Sequence, residues 1–139
     1  MERLRERLTT AQRALETINR LPLEKLPSDD VIRDAAIQRF EYTFEAVWKA
    51  AQIYLREHEG LEVGSPKGVI RACFRVGLLD EDQTRLALEM ADDRNLTVHT
   101  YNETLAQAIA SRIPAYARLM EQWLKAMIER TERDERAFT

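Results

Sequence analysis

Ile37-Gln38-Arg39-Phe40-Glu41-Tyr42-Thr43-Phe44-Glu45-Ala46-Val47-Trp48-Lys49 opens the stretch that decides the fold. Ile37, Phe40, Phe44, Val47, Trp48, Ala51 and Leu55 keep the period of an α-helix, and no Gly or Pro intervenes before Gly60. Upstream, Ser28 offers an N-cap, with Asp29 and Asp30 in the first turn beside the positive end of the helix dipole. Some thirty residues at 1.5 Å each make a rod of roughly 45 Å. A rod of that length with Phe40, Phe44 and Trp48 on its apolar side needs at least two other helices to cover it. Tyr42 and Tyr54 read as core-edge packing or as partner-facing groups. His58, between Glu57 and Glu59, suits the polar last turn and is assigned no chemistry.

Those covering helices are legible on either side. Leu4, Leu8, Ala11, Leu15 and Ile18 form one helical stripe that should stop near Asn19 to Leu21, because Pro22 and Pro27 bracket a connector. Gly60 and Gly64 mark the exit from the long helix. Ser65-Pro66 is a cap with a first-turn proline, opening a short helix through Val69, Ile70, Cys73 and Phe74 to Gly77. Asp80 and Gln83 stand in capping-box relation and start a fourth helix, with Leu86 and Met90 facing inward, that runs into Asp92, Asp93 and Arg94. A final helix carries Leu105, Ile109, Ile113, Tyr116, Met120, Trp123, Leu124 and Met127, with a bend expected at Pro114. The charged tail from Glu129 to Thr139 should fray. With no strand-length alternation, no Gly-rich phosphate loop and no repeat, the reading is all-α: one domain over residues 1–139, an up-and-down bundle of four to five helices.

Composition agrees. A chain of 139 residues with 45% hydrophobic and 32% charged residues, four Gly and four Pro fits a single folded helical domain. The net charge of −3 provides no bulk basic field for nucleic acid, so such a role needs a local site. Cys73 is the single cysteine, which excludes an internal disulfide and a Cys-rich metal site, and its apolar neighbours read as a small buried thiol. The charged start Met1-Glu2-Arg3-Leu4-Arg5-Glu6 lacks a signal-peptide core, and no apolar run nears the ~20 residues of a membrane span, so a cytoplasmic protein is expected.

The chemically capable residues converge in Asp92-Asp93-Arg94-Asn95-Leu96-Thr97-Val98-His99-Thr100-Tyr101-Asn102-Glu103. Arg94 supplies a permanent cation, His99 an imidazole that titrates near neutrality, and Tyr101 a phenol. Thr100 and Glu103 repeat the capping-box pattern, which would make Thr100 the N-cap and Tyr101 the first residue of the final helix. Free backbone N–H groups at such a terminus attract anions, phosphate above all. Three readings fit these residues. His99 acts as general base on an RNA 2′-hydroxyl while Arg94 stabilises the scissile phosphate, without a metal or cofactor; Tyr101 accepts a nucleotidyl group; or Arg94 pairs with Asp92, Asp93 or a helix C-terminus and His99 satisfies the local backbone. Spacing alone leaves all three open.

Residues 92–101 resemble the R-x4-H-x-Y signature of HEPN-domain proteins. The stretch Ile37 to Lys49, together with Ser65-Pro66-Lys67-Gly68-Val69-Ile70-Arg71, looks like the subgroup called nucleotidyltransferase substrate-binding proteins. The resemblance implies a homodimer whose two motifs meet in a cleft, paired with a small, separately encoded nucleotidyltransferase as toxin and antitoxin. It implies that the HEPN member is an RNase, silenced when the nucleotidyltransferase adds AMP to the motif tyrosine. Residue by residue, Arg94 and His99 match the catalytic pair, Asn95 the polar residue after the arginine, with Asp93 in support, and Tyr101 the modified tyrosine. The subgroup's older name implies an alternative, a non-catalytic adaptor that helps a minimal nucleotidyltransferase hold its substrate.

Overall fold

In the computed structural model, which describes residues 2–26 and 28–137, five α-helices follow one another: α1 (Glu2–Asn19), α2 (Asp30–Glu59), α3 (Pro66–Arg75), α4 (Glu81–Leu96) and α5 (Glu103–Ala137). Two single turns of 3₁₀-helix, Leu23–Lys25 and Thr97–His99, join α1 to α2 and α4 to α5. The described residues contain no strand, and none of their helices is long and apolar enough to cross a membrane. Pro27, expected to bracket the first connector, and the last two residues of the tail lie outside the described residues.

The direction of each helix follows from its partners. Arg5 meets Glu135, so α1 runs against α5. Arg33 meets Glu103 and His58 meets Asp134, so α2 runs alongside α5 in the same direction. Gln83 meets Gln122 and Asp93 meets Arg112, so α4 opposes α5. The long α2 is the shared wall, packed by α1, α3, α4 and α5. Its Phe40 stacks on Tyr116 of α5 with ring centroids 5.4 Å apart, and Phe44, Tyr54 and Trp123 complete an aromatic centre. Burying each such ring contributes about 1.5–3 kcal/mol, so this wall carries much of the stability. Tyr54 belongs to that core, while Tyr42 stays on the rim.

Most start and stop signals act as expected. All five stripe residues of α1 are buried. Gly60 ends α2 at φ +68, a left-handed conformation that suits glycine. Ser65 caps α3, and Asp80 with Gln83 forms the complete capping box of α4. Three expectations are corrected. The cap of α2 is Asp29, whose carboxylate accepts the N–H groups of Val31 and Ile32, whereas the Ser28 hydroxyl donates back to the Lys25 carbonyl. The cap of α5 is Asn102, which accepts the N–H of Leu105; Thr100 donates to the Thr97 carbonyl, so Tyr101 precedes the helix and does not begin it. The helix α5 also continues past Glu129 to Ala137, with no break at Pro114. Its charged end is held by Thr131 in the core, by Asp134 on His58 and by Glu135 on Arg5.

Candidate functional site

The motif residues lie where α4 ends and the chain turns into α5. Arg94 sits in the last turn of α4, which continues to Leu96; His99 closes the 3₁₀ turn, and Tyr101 stands in the bend after it. Two clamps fix this corner. Arg33, whose side chain is only 8% exposed, donates to Glu103 at 2.6 Å and so ties the start of α2 to the first residue of α5. Asp93, buried in α4, accepts Arg112 through both carboxylate oxygens and also accepts the Tyr116 hydroxyl. Asp93 thus supports the site by locking α4 to α5 one residue before Arg94, with its own oxygens fully committed. Burial first and the Asp93 carboxylate second push the Tyr116 phenol up, so it stays a donor at any working pH.

His99 and Tyr101 come together. The Tyr101 hydroxyl lies 3.3 Å from His99 Nδ1, and the two rings meet edge-to-face at 5.8 Å. Tyr101 is 85% exposed, open to any macromolecule that approaches this corner. Leu96 and Val98 are exposed beside it in sequence, so the rim of this corner is apolar.

Arg94 faces elsewhere. Its Nη2 pairs with Glu45 of α2 at 3.2 Å, neither with Asp92 or Asp93 nor with His99. Its Nε is buried and has no acceptor among the described residues. Asn95 is exposed, and both residues line a pocket of about 350 Å³ between α2, the start of α3 and α4. Lys67, on the pocket's α3 wall, pairs with Asp92 at 2.5 Å. Within one chain the motif is therefore split: an imidazole–phenol pair on an open rim, and a guanidinium in a pocket. Neither Glu45 nor Lys67 was expected, because the tertiary fold brings them from two other helices.

No group of His, Cys, Asp and Glu able to hold a metal ion occurs among the described residues. Cys73 is buried, and burial pushes its thiol up to about 12, the inert thiol that its neighbours suggested.

Known proteins share this geometry. The model of the family described as nucleotidyltransferase substrate binding protein like matches residues 6–129. A protein from Thermus thermophilus is 62% identical, with a TM-score of 0.78 and coverage of 84% of this chain and 98% of that one. A tri-AMPylated Shewanella oneidensis HEPN toxin, solved in complex with an MNT antitoxin, shares the fold at 16% identity. Its TM-score is 0.73, with 91% of this chain and 96% of that one covered. A Haemophilus influenzae protein, described as having the fold of a substrate binding domain of a nucleotidyltransferase, matches at 22% identity and a TM-score of 0.61, covering 91% and 97%. A search of curated proteins finds no match. The all-α bundle is thus that of the HEPN toxins, and the chain belongs to the nucleotidyltransferase substrate-binding protein family.

Proposed function

We propose that this chain is a HEPN-type toxin: a metal-independent ribonuclease that works as a homodimer, with Arg94 and His99 of two copies forming one composite site. A separately encoded minimal nucleotidyltransferase silences it by transferring AMP to Tyr101. The observation that carries this reading is the 3.3 Å approach of the exposed Tyr101 hydroxyl to His99 Nδ1. A phenol that open is accessible to a modifying enzyme, and any group placed on it lies against the imidazole.

In cleavage, His99 takes the proton of an RNA 2′-hydroxyl. The 2′-oxygen attacks the adjacent phosphorus, the 5′-oxygen leaves, and a 2′,3′-cyclic phosphate remains. Arg94 offsets the charge that builds on the non-bridging oxygens. In silencing, the Tyr101 oxygen attacks the α-phosphorus of ATP and pyrophosphate leaves. The new phosphodiester adds a bulky anion within reach of His99, which occupies the base and repels the RNA backbone. The split of Arg94 from His99 within one chain supports a composite site, since two-fold symmetry supplies the missing partner to each half. The exposed Leu96 and Val98 supply apolar surface for such an interface. The family match and the fold shared with an AMPylated HEPN toxin support the same partner and modification. This chemistry needs no cofactor and belongs in the cytoplasm, where RNA and ATP are at hand.

RNA cleavage and growth arrest test the reading. Arg94→Ala and His99→Ala should each abolish both while the circular dichroism spectrum and melting temperature stay unchanged. Cleavage at the wild-type rate in both variants overturns it. One observation favours a second reading, an adaptor subunit of a two-component nucleotidyltransferase: Arg94 is held by Glu45 away from His99. Under that reading the purified protein binds the nucleotidyltransferase stably and cuts no RNA.

A further inference from the structure

The pocket that holds Arg94 has more chemistry in it than the motif accounts for. Its polar wall consists of Glu45, Ser65, Lys67, Arg94 and Asn95, of which only Arg94 and Asn95 come from the motif. Arg94 Nε is buried without an acceptor among the described residues, and a buried donor left unsatisfied is costly, so this wall calls for an acceptor group. Lys67 pairs with Asp92, and both side chains are substantially exposed. An exposed pair of this kind is weak and exchanges partners readily. Glu45, shared between Arg94 and Lys49, is an acceptor that faces the same space.

The pocket therefore offers two cations and an orphaned N–H beside one acceptor-only carboxylate. A bare anion satisfies the first part and is repelled by the second. Complementarity requires an anion with a hydroxyl donor a few bonds away. At about 350 Å³ the pocket is far larger than a phosphate group, and Phe44, Pro66 and Ala91 supply apolar wall for the rest of the ligand. A ribonucleotide carries phosphate, sugar hydroxyl and apolar base face in that combination.

We propose that this pocket is a ribonucleotide subsite, in which Arg94 and Lys67 hold the phosphate and Glu45 accepts the sugar 2′-hydroxyl. Glu45 then tells ribose from deoxyribose, because a deoxy sugar leaves its carboxylate facing the phosphate with no donor between them. The assignment rests on the RNA-directed reading for the identity of the polymer, but the binding chemistry is independent of cleavage. It also gives the Glu45–Arg94 pair a purpose: the carboxylate holds the guanidinium in place until a nucleotide enters between them.

The test is a binding titration of the full chain, followed by nuclear magnetic resonance or calorimetry, with adenosine 3′-monophosphate and its 2′-deoxy counterpart. Neither can be cleaved by 2′-hydroxyl attack on an internucleotide bond, so a failure of the nuclease reading does not touch the result. The ribonucleotide should bind roughly tenfold or more tightly than the deoxynucleotide, the worth of one hydrogen bond to a charged group. Glu45→Gln should erase most of that preference, and Lys67→Ala should weaken both ligands by the same factor. A short oligoribonucleotide and its DNA equivalent form the second arm. Tighter binding of the oligoribonucleotide assigns the pocket to a nucleotide of an RNA chain; preference for the mononucleotide assigns it to a free nucleotide. Equal affinity for the ribose and deoxyribose ligands, or binding unaffected by Lys67→Ala, overturns the proposal.

Discussion

The Tyr116 hydroxyl donates to Asp93 Oδ2 at 2.5 Å across the buried face between α4 and α5. Asp93 is 4% exposed, and its remaining lone pairs go to Arg112, so the carboxylate is charged, dry and fully satisfied. A network of this kind is worth little net while complete and costs a great deal when broken. Tyr116→Phe should therefore destabilise the fold by about 1–3 kcal/mol, although the ring still fills the core against Phe40. Asp93→Ala should cost more, since it leaves Arg112 and the Tyr116 hydroxyl without their acceptor. Urea denaturation with an unchanged slope checks both values, and a Tyr116→Phe variant as stable as the wild type denies the network its role.

Alkaline stability follows from three buried protons. Burial pushes the Cys73 thiol up to about 12 and is the main cause that lifts the Tyr54 phenol to about 12; Tyr116 is raised further. In the unfolded chain a thiol ionises near pH ~8.5 and a phenol near pH ~10. Each group thus keeps its proton longer in the folded state. Such a contribution is complete below the unfolded value and is lost as pH rises toward the folded one. The urea midpoint should be flat up to about pH 8, fall first as the unfolded thiol ionises, then fall more steeply above about pH 10. Cys73→Ala should remove the first step alone. Parallel loss in wild type and Cys73→Ala between those two values would show that the thiol plays no part.

His58 links the far ends of α2 and α5. Its side chain is 7% exposed, Nδ1 contacts Asp134 at 2.9 Å, and the ring stacks on Tyr54 with centroids 5.0 Å apart. Removing it opens a cavity and releases the charged end of α5 together. His58→Ala should cost about 2–4 kcal/mol as a large-to-small core change, and amide exchange should accelerate over residues 129–137 while the motif corner keeps its protection. Uniform acceleration along the whole chain would mean that the contact secures the bundle at large and not the tail.

The same regions show what the sequence could and could not reveal. Periodicity exposed the stripe of α1 and the long face of α2, because those residues bury themselves by a local rule. Caps were legible where both partners lay within one turn, as in Asp80 with Gln83 and Ser65 with the Gly68 N–H. The pattern failed at Thr100 and Glu103 because Glu103 answers to Arg33, seventy positions away, which leaves Asn102 to cap α5. His58 looked solvated between Glu57 and Glu59, yet its partner Asp134 comes from the other end of the chain. Composition likewise marked the tail for fraying, while its charges are matched to Arg5 and His58. At the site, the motif named Arg94, Asn95, His99 and Tyr101, but Glu45 and Lys67 enter only through the packing of α2 and α3 on α4. Long-range pairing of charges has no period, so a single sequence does not display it.

Tyr101 provides the sharpest test of silencing. Its ring is 85% exposed and its hydroxyl bonds to the equally exposed rim residue His99, so Tyr101→Phe should alter stability by no more than about 0.5 kcal/mol, as surface changes do. Coexpressed with its nucleotidyltransferase, the wild-type protein should gain the mass of one or more AMP groups and lose RNase activity, whereas Tyr101→Phe should keep its mass and remain toxic. The distinction between the two readings of this family lies in that pair of results. A modified wild type and an unmodified, still toxic variant locate the switch at the phenol beside His99. A wild type whose mass never changes, bound stably to the nucleotidyltransferase and inert toward RNA, makes the protein an adaptor, and the exposed phenol then belongs to a docking surface.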